Sequence, residues 1–232
     1  MTLPFTAAQF FDVFAEYNRA VWPMQVVLLL LAVAALVTAL RPDQRSGRVG
    51  AGILSILWLW MAIAYHLAFF ARINPVAVLF AALFAIQAAL LARAALTGKL
   101  SFRLTRDRRS LLAGSLVAYA LVAYPALNLL VGHRYPATPT FGLPCPTTIF
   151  TLGLLLTARP CPLGLLLIPA AWSLLGFSAA WQLGVVADYG LLVAGLVTIA
   201  VACGCPAFRS LAASHQNGSV VSSSSRSTRN RA

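Results

Sequence analysis

The sequence predicts an all-α, polytopic transmembrane helical bundle of about seven spanning helices. Three observations carry this prediction. Apolar residues make up 60% of the 232 and charged residues only 9%, against roughly a quarter charged in soluble domains. The mean hydropathy is +0.84. The few charges fall in short gaps between apolar runs near the ~20 residues that cross a bilayer as a helix. A net charge of +12 raises nucleic acid as a partner. A nucleic-acid reader, however, needs its cations on one face of a folded domain, whereas here they punctuate membrane segments.

The chain opens MTLPFTAAQFFDVFAEYNRAVW, with Asp12 and Glu16 where a secretory signal would be basic, so its first apolar run reads as a retained anchor. Residues 1–21 are expected to form an interfacial segment: on a helix Phe10, Phe11 and Phe14 share one side, with Asp12, Glu16 and Arg19 elsewhere. Trp22 and Pro23 mark entry into the transmembrane bundle, 22–205, whose first span is 22–40. The second, 49–71, carries Trp58 and Trp60, then Tyr65 and His66 near its far end. Pro75 opens the third, 75–92, where its missing N–H costs nothing. The fourth, 111–132, contains Tyr119, Tyr124, Pro125 and Asn128, which suits contact with neighbouring helices rather than lipid. A short fifth segment, 143–158, is followed by 163–181 and 188–205. Residues 206–232, ending SSSSRSTRNRA, read as a disordered cytoplasmic tail.

Seven spans put the termini on opposite sides. The gaps after the first, third and fifth spans, with the tail, hold fourteen of the seventeen cations; Arg19, Arg72 and Arg134 lie on the other side. The positive-inside rule then places the N-terminus outside and the C-terminus in the cytoplasm, in a cell membrane, the inner membrane in a bacterium. The fifth segment has a second reading, a re-entrant hairpin that leaves on the side it entered and carries Arg159 outside. Charge favours the full span.

The stretch 132–151, GHRYPATPTFGLPCPTTIFT, breaks the apolar pattern. Pro136, Pro139, Pro144 and Pro146 forbid regular helix through its first half. With the predicted orientation Tyr65, His66, Asn128, His133, Thr147, Thr148 and Asp188 gather toward the outer face as a ligand-binding site. His66, His133 and Asp188 supply imidazole and carboxylate for a divalent metal such as zinc, with Glu16 as a base. Plainer readings stand beside these. Asp188 in ADYG is placed to cap the last helix, His133 to satisfy carbonyls at the end of the fourth, and a Tyr or Asn would satisfy His66.

PCP occurs at 144–146 and 160–162, bracketing the fifth segment. Along a helix Cys145 and Cys161 stand roughly 24 Å apart, too far to pair. Cys161, Cys203 and Cys205 fall on the cytoplasmic side, as packing residues or soft-metal ligands. No phosphate-cradling GxxxxGK[ST], HExxH or serine elbow occurs, so a non-enzyme is favoured.

At FFDVFAEYNRAVWP, YHLAFFARINP and GHRYPATPTFGLPCPTTIFT the sequence resembles an uncharacterised family of bacterial multi-pass integral membrane proteins, known only as a domain of unknown function. The resemblance covers residues 1 to about 205. It implies the membrane class and carries over no activity, cofactor or site residue.

The expected function is binding or transport of an ion or small solute through an outward-facing polar cavity. The alternatives are a metal-dependent membrane enzyme and a structural or assembly partner in a membrane complex. The side assigned to the fifth segment has a direct check. A membrane-impermeant maleimide should label Cys161 after permeabilisation but not in intact cells; labelling in intact cells contradicts the full span.

Overall fold

The computed structural model of the protein describes residues 4–41 and 43–205; the expected tail at 206–232 lies outside the described residues. The chain folds as α1 (Ala7–Ala20), α2 (Met24–Ala39), α3 (Gln44–Trp60), α4 (Ala77–Thr97), α5 (Arg108–Ala118), α6 (Tyr124–Leu130), α7 (Pro144–Thr157), α8 (Leu163–Leu183) and α9 (Tyr189–Gly204). A π-helical stretch, Met61–Leu67, continues α3, and another, Tyr119–Ala123, joins α5 to α6. Two short strands, β1 (Ser101–Phe102) and β2 (Ala158–Arg159), pair antiparallel with Ser101 opposite Arg159.

Each of the seven expected apolar segments contains a helix, and five stretches are long and apolar enough to cross a membrane: Gln44–Arg72, Ala77–Thr97, Arg108–Leu130, Leu163–Leu183 and Val186–Gly204. Two segments fall short of that length. α2 has 16 residues and joins α1 through a bend of 87°. α7 has 14, which at 1.5 Å per residue is about 21 Å against ~30 Å of hydrocarbon.

Helix boundaries follow capping rather than hydropathy. Asp43 accepts the Ser46 N–H at 2.8 Å and starts α3 five residues before the apolar run expected from residue 49. Gly98, in the left-handed region at φ 61°, ends α4 after Thr97 rather than at residue 92. Asp107 caps α5 through the Ser110 N–H at 2.7 Å and pairs with Arg159 at 3.3 Å. The Ser110 N–H, then the Thr105 and Ser110 hydroxyls, hold its carboxyl down to about 2. Its stabilising effect is therefore present above the ordinary aspartate range and is lost as pH falls through about 2.

The helices turn small residues inward. On α2, Leu28, Ala32, Ala35 and Ala39 recur every three or four positions and are buried, while Leu30, Val33 and Val37 face out. Trp22 and Trp181, 62% and 67% exposed, lie on the same apolar exterior.

α7 is the axis of the bundle. All its residues are buried except the half-buried Cys145, and α2, α5, α8 and α9 pack against it. Trp58 of α3 donates its indole N–H to Thr151 at 3.0 Å, and Thr151 in turn donates to the Thr147 carbonyl at 2.7 Å. At the C-terminal end the Thr157 carbonyl accepts from the Arg103 N–H at 3.0 Å and the Ala158 carbonyl from the Arg109 guanidinium at 3.1 Å. Cations there also oppose the negative end of the helix dipole.

These contacts define two ends. At one, β2 joins the basic α4–α5 connection, Gln44 reaches the Gly98 carbonyl at 3.1 Å, and Cys161 lies beside Cys205. At the other, α1 meets residues 133–140: Asn18 donates to the carbonyls of Pro136 at 2.7 Å and Thr138 at 2.8 Å, and Phe11 lies 4.4 Å from the His133 ring. α7 runs from the second end to the first without turning back.

Close approach of α5 and α7 depends on Gly153, where an added Cβ would sit 2.8 Å from Val117 Cγ2 and 3.0 Å from the Ala113 carbonyl oxygen. Gly153→Leu should destabilise the protein by about 1–3 kcal/mol, read as a lowered unfolding temperature in a fixed detergent. Gly114→Ala, with nothing within 4 Å of the new Cβ, should leave it within about 0.5 kcal/mol of the parent.

Candidate functional site

Two interruptions of regular helix aim polar groups at the bundle interior. Pro125 has no N–H to give the Leu121 carbonyl, and the π-helical stretch Tyr119–Ala123 stands just before it. Tyr124 follows immediately, buried, and its hydroxyl donates to Asp188 Oδ1 at 2.5 Å. The other stretch, Met61–Leu67, carries both Tyr65 and His66 inward. Such π-helical insertions recur at functional sites because they place side chains where an even 3.6-residue turn does not.

Asp188 is the first member of the site. It is only 3% exposed and stands at the N-cap position of α9, but its carboxylate makes no capping bond to that helix. The capping expected from ADYG is thereby corrected: the Tyr124 hydroxyl and the Cys145 thiol, rather than the helix N–H groups, approach the carboxylate. Cys145, at the start of α7, lies beside the carboxylate, and Tyr65 is close to both.

Tyr65, Cys145 and Asp188 line a cavity of about 160 Å³ between α1, α4, α7 and α8. The rest of its lining mixes aromatic rings with aliphatic and small residues such as Leu143, Leu175 and Ala179, and with the polar Asn74 and Ser178. Phe10 and Phe14 come from α1, Phe70 from the turn before α4, Phe80 from α4 and Trp172 from α8. Phe10 and Phe14 meet edge to face at 4.5 Å, and Phe80 meets Trp172 at 5.2 Å. The sequence led to an expectation of a polar cavity; the one observed is aromatic with a polar patch. Longer-range pairing explains the difference, because the α1 phenylalanines turn into the bundle and wall the space.

His66 is fully buried in the cavity wall rather than at its surface, with ring centroids of Phe84 at 4.6 Å and Trp172 at 5.3 Å. Neither ring nitrogen has a partner, nor does Trp172 Nε1. The Tyr or Asn partner expected for His66 is thus not among the described residues. Unpaired buried polar atoms in membrane interiors are costly and mark sites for scrutiny.

The remaining expected site residues lie apart. Asn128 donates to the Tyr124 carbonyl at 3.0 Å and places Oδ1 3.4 Å from His133 Nδ1, closing the end of α6. The His133 N–H donates to the Asn128 carbonyl at 2.9 Å. His133 lines a second, wider groove of about 670 Å³ with Gln25, Tyr124 and Tyr135. Thr147 accepts the Gly142 N–H at 3.1 Å and orders the entry to α7, while Thr148 Oγ1 is buried without a partner among the described residues.

Among the described residues no three His, Cys, Asp or Glu side chains come together as a metal-binding group. The metal set of His66, His133 and Asp188 is therefore corrected: one is sealed in the aromatic wall, one faces the groove and one the cavity. Glu16, the expected base, instead pairs with Arg72 at 3.3 Å on the exterior. Cys145, Tyr124 and Trp172 were not in the expected site. The double PCP and the Tyr124–Pro125 pair were the available signals, but nothing local ties them to Asp188.

Fold and site together define an all-helical protein with several helices apolar enough to span a membrane and an aromatic cavity at the end opposite its basic loops. The chain belongs to the Family of unknown function (DUF6064), whose model matches residues 7–211. No match is found among curated proteins or among solved structures.

Asn18 holds the loop that borders this end, since beyond its two carbonyl contacts it accepts from the Thr140 hydroxyl at 2.8 Å. Asn18→Ala should free residues 133–140. Externally added trypsin should then cut after Arg134 at least about tenfold faster, because local opening energies set cleavage rates. An unchanged rate would show that the loop is held elsewhere.

Proposed function

We propose that this is a multi-pass protein of the bacterial inner membrane that binds or transports a small solute through the aromatic cavity from the outer side. The observation that carries the reading is the polar cluster of Tyr65, Cys145 and Asp188 in a largely apolar cavity rich in aromatic rings. An apolar cavity with a few convergent polar groups is the usual form of a small-molecule site.

The orientation rests on charge. The cations of the α2–α3 turn, the α4–α5 connection and Arg159 sit at one end of the bundle, and the cavity at the other. With the basic end in the cytoplasm, the N-terminus is outside and the cavity faces outward. α7 then counts as a seventh crossing despite its length. A 14-residue helix sheathed by neighbours need not match the hydrocarbon thickness, because its ends and side chains meet protein rather than lipid. α1 lies across the outer end, bent from α2 by 87°, as an interfacial helix would.

Filling the cavity tests the reading. Ala179 lines it, and Ala179→Phe replaces open space with a ring. In a thermal-shift screen of small amphipathic solutes, at least one should stabilise the parent by raising its unfolding temperature, as mass action requires of a ligand that binds the native state. The same solute should have no effect on Ala179→Phe. A panel with no stabilising member, or equal stabilisation of both proteins, would contradict it.

A further inference from the structure

Building on the reading of the cavity as a solute site, we infer that its ligand class is the small organic ammonium ion, with the charge facing Asp188 and the alkyl groups against the aromatic walls.

The first argument is the uncompensated acid. The ion pairs among the described residues are Arg72–Glu16 and Arg159–Asp107, and neither involves Asp188. A buried carboxylate without a cation is unfavourable in a low-dielectric interior. The Tyr124 hydroxyl and the Cys145 thiol hold the carboxylate in place, and neither neighbour carries a positive charge. An arriving cation finds an oriented acceptor at the cavity surface.

The second argument is the wall. Phe10, Phe14, Phe70, Phe80 and Trp172 contribute π systems to the lining. Aromatic faces attract an ammonium through their quadrupoles, most strongly where water is excluded, and pack alkyl groups well. An anion would be repelled by Asp188. A hard cation such as Ca²⁺ takes six or more oxygen ligands, and among the described residues no three His, Cys, Asp or Glu side chains come together to hold a metal.

The third argument is size. The cavity measures about 160 Å³, close to the ~150 Å³ of an engineered apolar cavity that admits benzene. A tetraalkylammonium with methyl substituents fits this scale, and longer chains do not.

The test uses the full chain in lipid nanodiscs, with tetramethylammonium chloride and the uncharged, similarly sized tert-butanol titrated calorimetrically against empty discs. Tetramethylammonium should bind the parent protein and bind Asp188→Asn at least about tenfold more weakly, while tert-butanol binds both alike. Asn keeps an acceptor for the Tyr124 hydroxyl, and an unfolding scan checks that the variant folds. Phe10→Leu provides an independent check should Asp188→Asn fail to fold: it retains an apolar wall but removes a ring face, so it should weaken tetramethylammonium by about three- to tenfold and leave tert-butanol unchanged. Binding of tert-butanol without tetramethylammonium overturns the ammonium inference and leaves the cavity reading standing. Binding of neither overturns both. Tetramethylammonium binding that is indifferent to Asp188→Asn and Phe10→Leu overturns the inference.

Discussion

A helix too short to span hydrocarbon by itself can lie at membrane depth only if other helices sheath it, and α7 is sheathed by α2, α5, α8 and α9. α7 is 14 residues long and buried along its length. Two of its threonine hydroxyls fold back on its own backbone: Thr151 donates to the Thr147 carbonyl and Thr157 to the Leu154 carbonyl. This is how polar side chains are tolerated where water is absent. Its last carbonyls are met by Arg103 and Arg109, so the basic connection that marks one end of the bundle also closes the axial helix.

From that arrangement the rest follows. Gly153 lets α5 approach closely, and the α5–α6 unit then carries Tyr124 to the start of α9, where it holds Asp188. The N-terminal end of α7 brings Cys145 to the same carboxylate and leaves a gap that α1 closes with its phenylalanines. The cavity is thus a packing consequence of a short axial helix: where α7 stops, aromatic rings and one acid take over. A single carboxylate in such a space is held in one orientation and poorly solvated.

Much of this was legible in the residues because it rests on local patterns. Apolar runs located the helices from α2 onward, and the spacing of cations marked the end at which β1 and β2 pair. Boundaries were displaced where caps outrank hydropathy, as at Asp43 and Gly98. The number of crossings was less accessible, because length alone cannot distinguish a lipid-facing span from a sheathed one such as α7. Within the site, Tyr65 and Asp188 were recognisable as costly polar residues among apolar ones. Tyr124, 64 positions from Asp188, was not, since only the folded bundle brings them together. His66 was recognisable for the same reason as Asp188 yet lies in the wall, because its burial among aromatic rings is set by two other helices, α4 and α8.

The claim that α7 is sheathed from lipid is tested most directly by brominated-lipid quenching of single-tryptophan proteins. Trp58, fully buried against Thr151 of α7, should keep its fluorescence in brominated bilayers, whereas Trp181, 67% exposed on the exterior, should be strongly quenched. Equal quenching of the two would place lipid beside α7 and contradict the account.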